Sequence, residues 1–195
     1  MNINLVVEDF IQEYALMKVL QNTSQAYEPG LIFGKKGNDF IRQNLRKFNQ
    51  ASRTTPYLIV TDLDATDCAP TLINEWIDFP ENPNFIFRIA VREAETWLLG
   101  DRNNFASFLG VPLVRIPQNP ETISNPKEFI IALARKSSKR KIREDLIPQG
   151  TASRGRNYNS CLGEYITEYW DINLAKQNCD SLQRMIDRLN AFRKI

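Results

Sequence analysis

Apolar positions follow two rhythms along the first hundred residues. Short apolar runs, INLVV (3–7), LIF (31–33), YLIVT (57–61) and FIFRIAV (85–91), read as strands, INLVV as a buried one and the continuous YLIVT as one covered on both faces. Between them, apolar residues recur every three or four positions and predict helices. IQEYALMKVLQN (11–22) places Ile11, Tyr14, Ala15, Leu16, Val19 and Leu20 on one broad face, and NDFIRQNLRKFN (38–49) turns Phe40, Ile41, Leu45 and Phe48 inward. APTLINEWI (69–77) opens with Pro70 near its first turn, and EAETWLL (93–99) follows the last strand. Pro29-Gly30 reads as a turn before the second strand. The order β-α-β-α-β-α-β-α predicts an α/β fold: a mainly parallel four-stranded sheet with helices on both faces, Rossmann-like in outline.

The second half carries only the helical rhythm. NFASFLG (104–110), NPKEFIIALARKS (125–137), KRKIREDLI (139–147), YNSCLGEYITEYW (158–170) and DSLQRMIDRLNAF (180–192) predict a helical C-terminal extension, with Asp180 or Ser181 capping the last helix. The expected organisation is an α/β domain over 1–110 and a basic helical extension over 111–195, packed on or beside it.

Composition removes several kinds of chemistry. The chain has no histidine, which excludes Ser-His-Asp triads, Cys-His dyads and ordinary zinc sites. Cys68, Cys161 and Cys179 are odd in number and form no C-x-x-C pair, so no disulfide framework is expected. No apolar run reaches bilayer length, and MNINLVVEDF leads straight into a strand with an early acid, unlike a signal peptide. The expected setting is cytoplasmic, with no membrane. Catalysis, if present, must use carboxylates, Lys, Tyr, Ser or an oxygen-held metal.

Charge is divided along the chain. Residues 1–100 hold 9 Lys/Arg and 13 Asp/Glu, a net of −4; residues 101–195 hold 16 and 10, a net of +6. The acids concentrate where strands end: Glu8-Asp9 after the first, Asp62-Leu63-Asp64 after the third, and Glu93 and Glu95 after the fourth. Right-handed crossovers bring those ends to one edge of the sheet. Single acids there often cap helices. Three clusters on one edge call for a neutralising cation, and hard carboxylate oxygens suit Mg²⁺ or Mn²⁺, one ion or two. The D-x-D spacing implies that Asp62 and Asp64 point the same way from an extended segment. Asp67 reads as a turn or cap residue before Pro70.

The pattern of apolar run plus Glu8, apolar run plus T-D-L-D (61–64), and V-R-E-A-E-T-W-L-L-G-D (91–101) resembles the TOPRIM domain, and most closely the small stand-alone TOPRIM-like proteins of OLD type. The resemblance covers residues 1 to about 101. It implies a Mg²⁺- or Mn²⁺-dependent phosphodiester-cleaving nuclease, an endonuclease of phage-defence type acting with an ATPase partner. By the same resemblance Glu8, Asp62 and Asp64 are the catalytic and metal-binding residues, and Glu93 or Glu95 completes a second metal position. Asp9 stands where the family often has glycine. No Walker motif is present, FGKKGNDF (33–40) included, so an ATP-driven step belongs to another chain.

The basic half complements this reading. RKSSKRKIR (135–143) holds six basic residues in nine, among them Lys139, Arg140, Lys141 and Arg143, and TASRGRNYN (151–159) adds Arg154 and Arg156. These, with Lys127 reaching toward a scissile phosphate, are expected to bind nucleic acid, DNA first, through its backbone. The plainer alternative is a solvated helix face. A homo-oligomer is compatible with all of this. Two rival functions remain: a non-catalytic nucleic-acid-binding or regulatory subunit of an ATPase complex, and a haloacid-dehalogenase-like phosphatase, since D-L-D-A-T (62–66) matches that nucleophile motif with Asp62 attacking.

Overall fold

A computed structural model describes residues 1–194. Ile195, the last residue of the predicted extension, lies outside the described residues. Four parallel strands, β1 (Asn2–Val7), β2 (Glu28–Gly34), β3 (Tyr57–Asp62) and β4 (Phe85–Ala90), form one sheet in the order β2-β1-β3-β4. Alternation along each strand divides two cores. Ile3, Leu5, Val7, Leu58, Val60 and Ile86 face one side; Val6, Ile59, Phe85, Phe87 and Ile89 face the other. Helix α1 (Phe10–Gln21) covers the first side, while α2 (Asn38–Ala51) and α3 (Ala69–Trp76) cover the second. This division follows from right-handed crossovers: the step from β1 to β2 runs opposite to the steps from β2 to β3 and on to β4.

The expected turn at Pro29-Gly30 is instead part of β2. β2 is an edge strand with one neighbour, so proline's missing N–H costs little there. Asn4 makes the fit: its Oδ1 accepts from Leu31 N at 2.8 Å, and the register with β1 slips between Ile3 and Leu5.

The remaining helices are α4 (Glu95–Gly100), α5 (Arg102–Leu109), α6 (Pro126–Ala134), α7 (Arg140–Leu146), α8 (Tyr158–Glu168), α9 (Ile172–Asn178) and α10 (Asp180–Ala191). They contribute Leu109, Ile130, Leu146, Leu162, Leu182 and Leu189 to the same core as Ile3 and Leu58. Polar tethers fasten this packing: Tyr27 OH donates to Leu189 O at 2.6 Å and Trp170 Nε1 to Trp97 O at 3.2 Å. Helix α9, absent from the predicted pattern, is capped by Asp171 Oδ1, which accepts from Asn173 N and Leu174 N. The expected cap of α10 shifts. Cys179 precedes the helix, and Ser181 lies in its first turn, where Oγ accepts from Trp97 Nε1 at 2.8 Å. The tertiary partner outcompetes the local cap. Among the described residues no helix is long and apolar enough to cross a membrane.

Candidate active site

β1 and β3 are neighbours whose connections leave in opposite directions, so the sheet's crevice opens between their carboxyl ends. Glu8 follows β1 and Asp62 ends β3. Glu8 Oε1 accepts from Asp62 N at 2.7 Å and from Thr61 Oγ1. Gln12, one turn into α1, clamps the pair: its Oε1 accepts from Glu8 N at 2.8 Å and its Nε2 donates to Asp62 Oδ1 at 2.8 Å. Ala94 N donates to the same Asp62 oxygen at 3.0 Å. Asp9 is a helix cap, with Oδ1 accepting from Ile11 N and Gln12 N.

Asp64 corrects the expectation that D-x-D alternates along an extended segment. β3 stops at Asp62, and Asp64 adopts the left-handed region at φ 49°, a conformation Asp tolerates better than most residues. It is exposed, and its Oδ2 accepts from Asn38 Nδ2 at 3.1 Å. Glu8, Asp62 and Asp64 nevertheless line one open cavity of about 350 Å³. Lys35, Lys36, Lys127 and Arg154 line it too.

Glu93 and Glu95 do not line that cavity. Glu93 opens onto an adjacent cavity that it shares with Asp64 and Arg92, and its Oε2 accepts from Lys127 N at the start of α6, 3.1 Å away. Glu95 is 1% exposed; its Oε1 accepts from Tyr158 OH at 3.2 Å and lies 3.6 Å from Lys127 Nζ. The fourth strand's acids therefore hold Lys127 from behind.

Burial dominates the electrostatics. It pushes the Glu8 carboxyl from 4.5 up to about 7, against the hydrogen bonds from Thr61 and Asp62 and with help from the charges of Asp64 and Asp9. Asp62 is raised well above the usual carboxylate range by burial, then by Glu8 and Glu95. Burial also raises Glu93, and takes Glu95 to about 7 despite the Lys127 ammonium. Burial alone would lower Lys127, but Glu95, Glu93, Asp9 and Asp62 outweigh it and hold the ammonium charged.

A family model described as a domain of unknown function, DUF4276, matches residues 2–190. The chain belongs to the DUF4276 family. The match takes in the sheet and the helices through most of α10. No curated protein and no solved structure gives a significant match.

In this DUF4276 chain the basic residues divide. Lys127 and Arg154 reach the acidic cavity; Arg156 is exposed and does not line it. Four of the six cations in the 135–143 run are engaged elsewhere. Lys139 Nζ donates to Ser107 O and Phe108 O at the end of α5, Arg140 pairs with Glu144 at 2.6 Å, Lys141 pairs with Glu164 at 3.2 Å, and Arg143 donates to Ser137 O. Lys35 and Lys36 were not among the expected site residues. Gly34, at φ 104°, turns the chain back over β1: a Cβ there would fall 1.9 Å from Val7 O, and Lys35 N donates to that oxygen at 2.9 Å. The readable signal was glycine on both sides of two lysines directly after a strand.

The donor set fits a hard divalent cation in chemistry, since every acidic ligand on the cavity is a carboxylate. It is not a preformed cage: among the described residues no three Asp, Glu or Cys side chains are grouped to hold a metal ion. Mg²⁺ commonly keeps several waters and uses one or two carboxylates plus substrate phosphate. The open cavity suits that mode.

Proposed function

We propose that this protein is a Mg²⁺- or Mn²⁺-dependent nuclease that cleaves phosphodiester bonds in DNA. One observation carries the reading: Glu8, Asp62 and Asp64 share a cavity at the switch point with Lys35, Lys36, Lys127 and Arg154. Carboxylates beside cations match a phosphodiester bound together with a divalent ion. Glu8, Asp62 and Asp64 would hold the ion. When bound, it supplies charge neutralisation for the phosphoryl oxygens and a more acidic water. The chain's own groups do the remaining work. Gln12, Thr61 and Ala94 N fix the two buried carboxylates; Glu93 and Glu95 fix Lys127; Lys127 and Arg154 neutralise and orient phosphate oxygens. The TOPRIM-like order of motifs supports the same assignment, and by that resemblance the proposed function extends to a phage-defence role beside an ATPase supplied by another chain.

A second reading, a non-catalytic nucleic-acid-binding or regulatory subunit of an ATPase complex, is favoured by the lack of a grouped three-carboxylate cluster. The phosphatase reading is weaker. Asp62 is 7% exposed and its Oδ1 already accepts two hydrogen bonds, a setting for holding rather than attacking.

The test is cleavage of plasmid and single-stranded DNA with Mg²⁺ or Mn²⁺. Wild type should cut, and Asp62→Asn and Asp64→Asn should each lose at least about a hundredfold in rate. Cleavage that survives both substitutions, or its absence in wild type under either metal, overturns the nuclease.

A further inference from the structure

We infer that the acidic cavity takes an unpaired nucleotide of a phosphodiester chain, whose base stacks on Phe10. This rests on the phosphodiester reading of the same cavity and adds the kind of strand that enters it.

Phe10 is the first residue of α1, directly after Glu8 and the cap Asp9. It lines the cavity, yet the residue is 46% exposed. No aromatic ring among the described residues stacks on it. The Lys35 ammonium lies 5.1 Å from the ring centroid and is fixed there by Glu13 at 2.9 Å. An aromatic face at the mouth of a charged pocket, beside cations that would hold phosphate, is the arrangement that binds bases without reading their sequence. Arg154 is steadied by Asn159, whose Oδ1 accepts at 3.4 Å, and both line the same cavity.

Shape gives an independent argument. The cavity, about 350 Å³, is at the small end of small-molecule pockets. The two carboxylates fixed within it, Glu8 and Asp62, are both buried. A single strand can bend a phosphate inward to reach them. A duplex is stiff over such lengths and carries its phosphates on a convex surface, so it reaches the buried pair less readily than a strand freed from pairing. Phe10 then gives the freed base somewhere to go.

The experiment is calorimetric titration in Ca²⁺ buffer, with intact DNA verified on a gel. The probes are oligothymidylate, an abasic phosphodiester oligomer of equal length, the corresponding duplex, and thymidine monophosphate. Wild type should bind oligothymidylate most tightly. Phe10→Ala should weaken that binding roughly five- to one-hundred-fold while leaving the abasic oligomer within about twofold. Phe10→Trp should keep the affinity and show quenched indole emission with oligothymidylate only. Equal affinity for base-bearing and abasic oligomers, an equal loss on both in Phe10→Ala, or preference for duplex or mononucleotide would overturn the inference. The outcome is separable from the nuclease test. Stacking without cleavage retains this inference and removes the activity; cleavage with indifference to bases does the reverse.

Discussion

Replacing Glu8 by Gln should stabilise the metal-free protein at alkaline pH. The Gln side-chain oxygen can still accept from Thr61 Oγ1 and Asp62 N, so the substitution removes a charge and little else. Raising the Glu8 carboxyl from 4.5 to about 7 corresponds to about 3 kcal/mol of lost stability once the group is ionised both folded and unfolded. The sign follows from proton uptake. A carboxyl raised in the fold holds its proton more tightly than in the unfolded chain. Wild-type stability from this group is therefore full below pH 4.5 and is lost as pH rises through about 7. Because the amide must still desolvate its NH₂, the net gain for Glu8→Gln at pH 8 should be about 2 kcal/mol, or about 4–8 °C in Tm for a chain of this size. The difference should shrink toward zero at pH 5. The assay is thermal unfolding in EDTA at pH 5, 6.5 and 8, repeated with Mg²⁺, which should raise the Tm of wild type more than that of the variant. A variant less stable than wild type at pH 8 in EDTA, or a difference that does not change with pH, refutes the argument that burial sets this carboxyl.

Metal affinity should weaken as pH falls below about 7, where Glu8 takes up its proton; Mn²⁺ titrations at pH 6 and 8 measure it. Lys127→Met should destabilise the fold by about 2 kcal/mol at pH 8 by leaving Glu95 buried without its ammonium, and by less at pH 5, where Glu95 is protonated; urea unfolding at the two pH values reads this. Gly34→Ala should lower stability by about 3 kcal/mol or prevent folding, because its Cβ meets Val7 O and φ is 104°; expression and thermal melts decide. Lys36→Ala and Arg154→Ala should each reduce the salt slope of DNA binding by about one, whereas Arg140→Ala and Lys141→Ala, already paired with Glu144 and Glu164, should leave it unchanged.

The sheet was legible because β1, β3 and β4 are buried almost throughout and so read as apolar runs, while the half-exposed edge strand β2 showed only the short run LIF. Pro29-Gly30 misled because punctuation residues are judged locally, while an edge strand's tolerance of proline depends on which neighbour it lacks. Helix α9 was missed because INLAKQN is a short helix whose first strong signal, the Asp171 cap, lies outside the periodic stretch. At the site, counting strand ends was enough to place Glu8 and Asp62 together, since topology alone fixes that edge. Charge runs were less informative. RKSSKRKIR has the densest positive charge in the chain, yet Lys139 and Arg143 bind carbonyls and Arg140 and Lys141 pair with glutamates.

The opposite error hid Lys35 and Lys36, whose two charges look minor until Gly34 folds them over Val7 O and onto the cavity. What separates the two cases is backbone geometry rather than charge. A lysine after a positive-φ glycine at a strand end is carried to the sheet's crevice, whereas a lysine in a helical run faces whatever its helix faces. The same reasoning explains why Asp62 and Asp64 differ. Asp62 is the last residue of the ladder and must be buried with it, while Asp64, beyond the turn, remains in solvent. Two buried acids, Glu8 and Asp62, clamped through Gln12, and an exposed one held by Asn38 give the cavity two fixed carboxylates and one adjustable carboxylate.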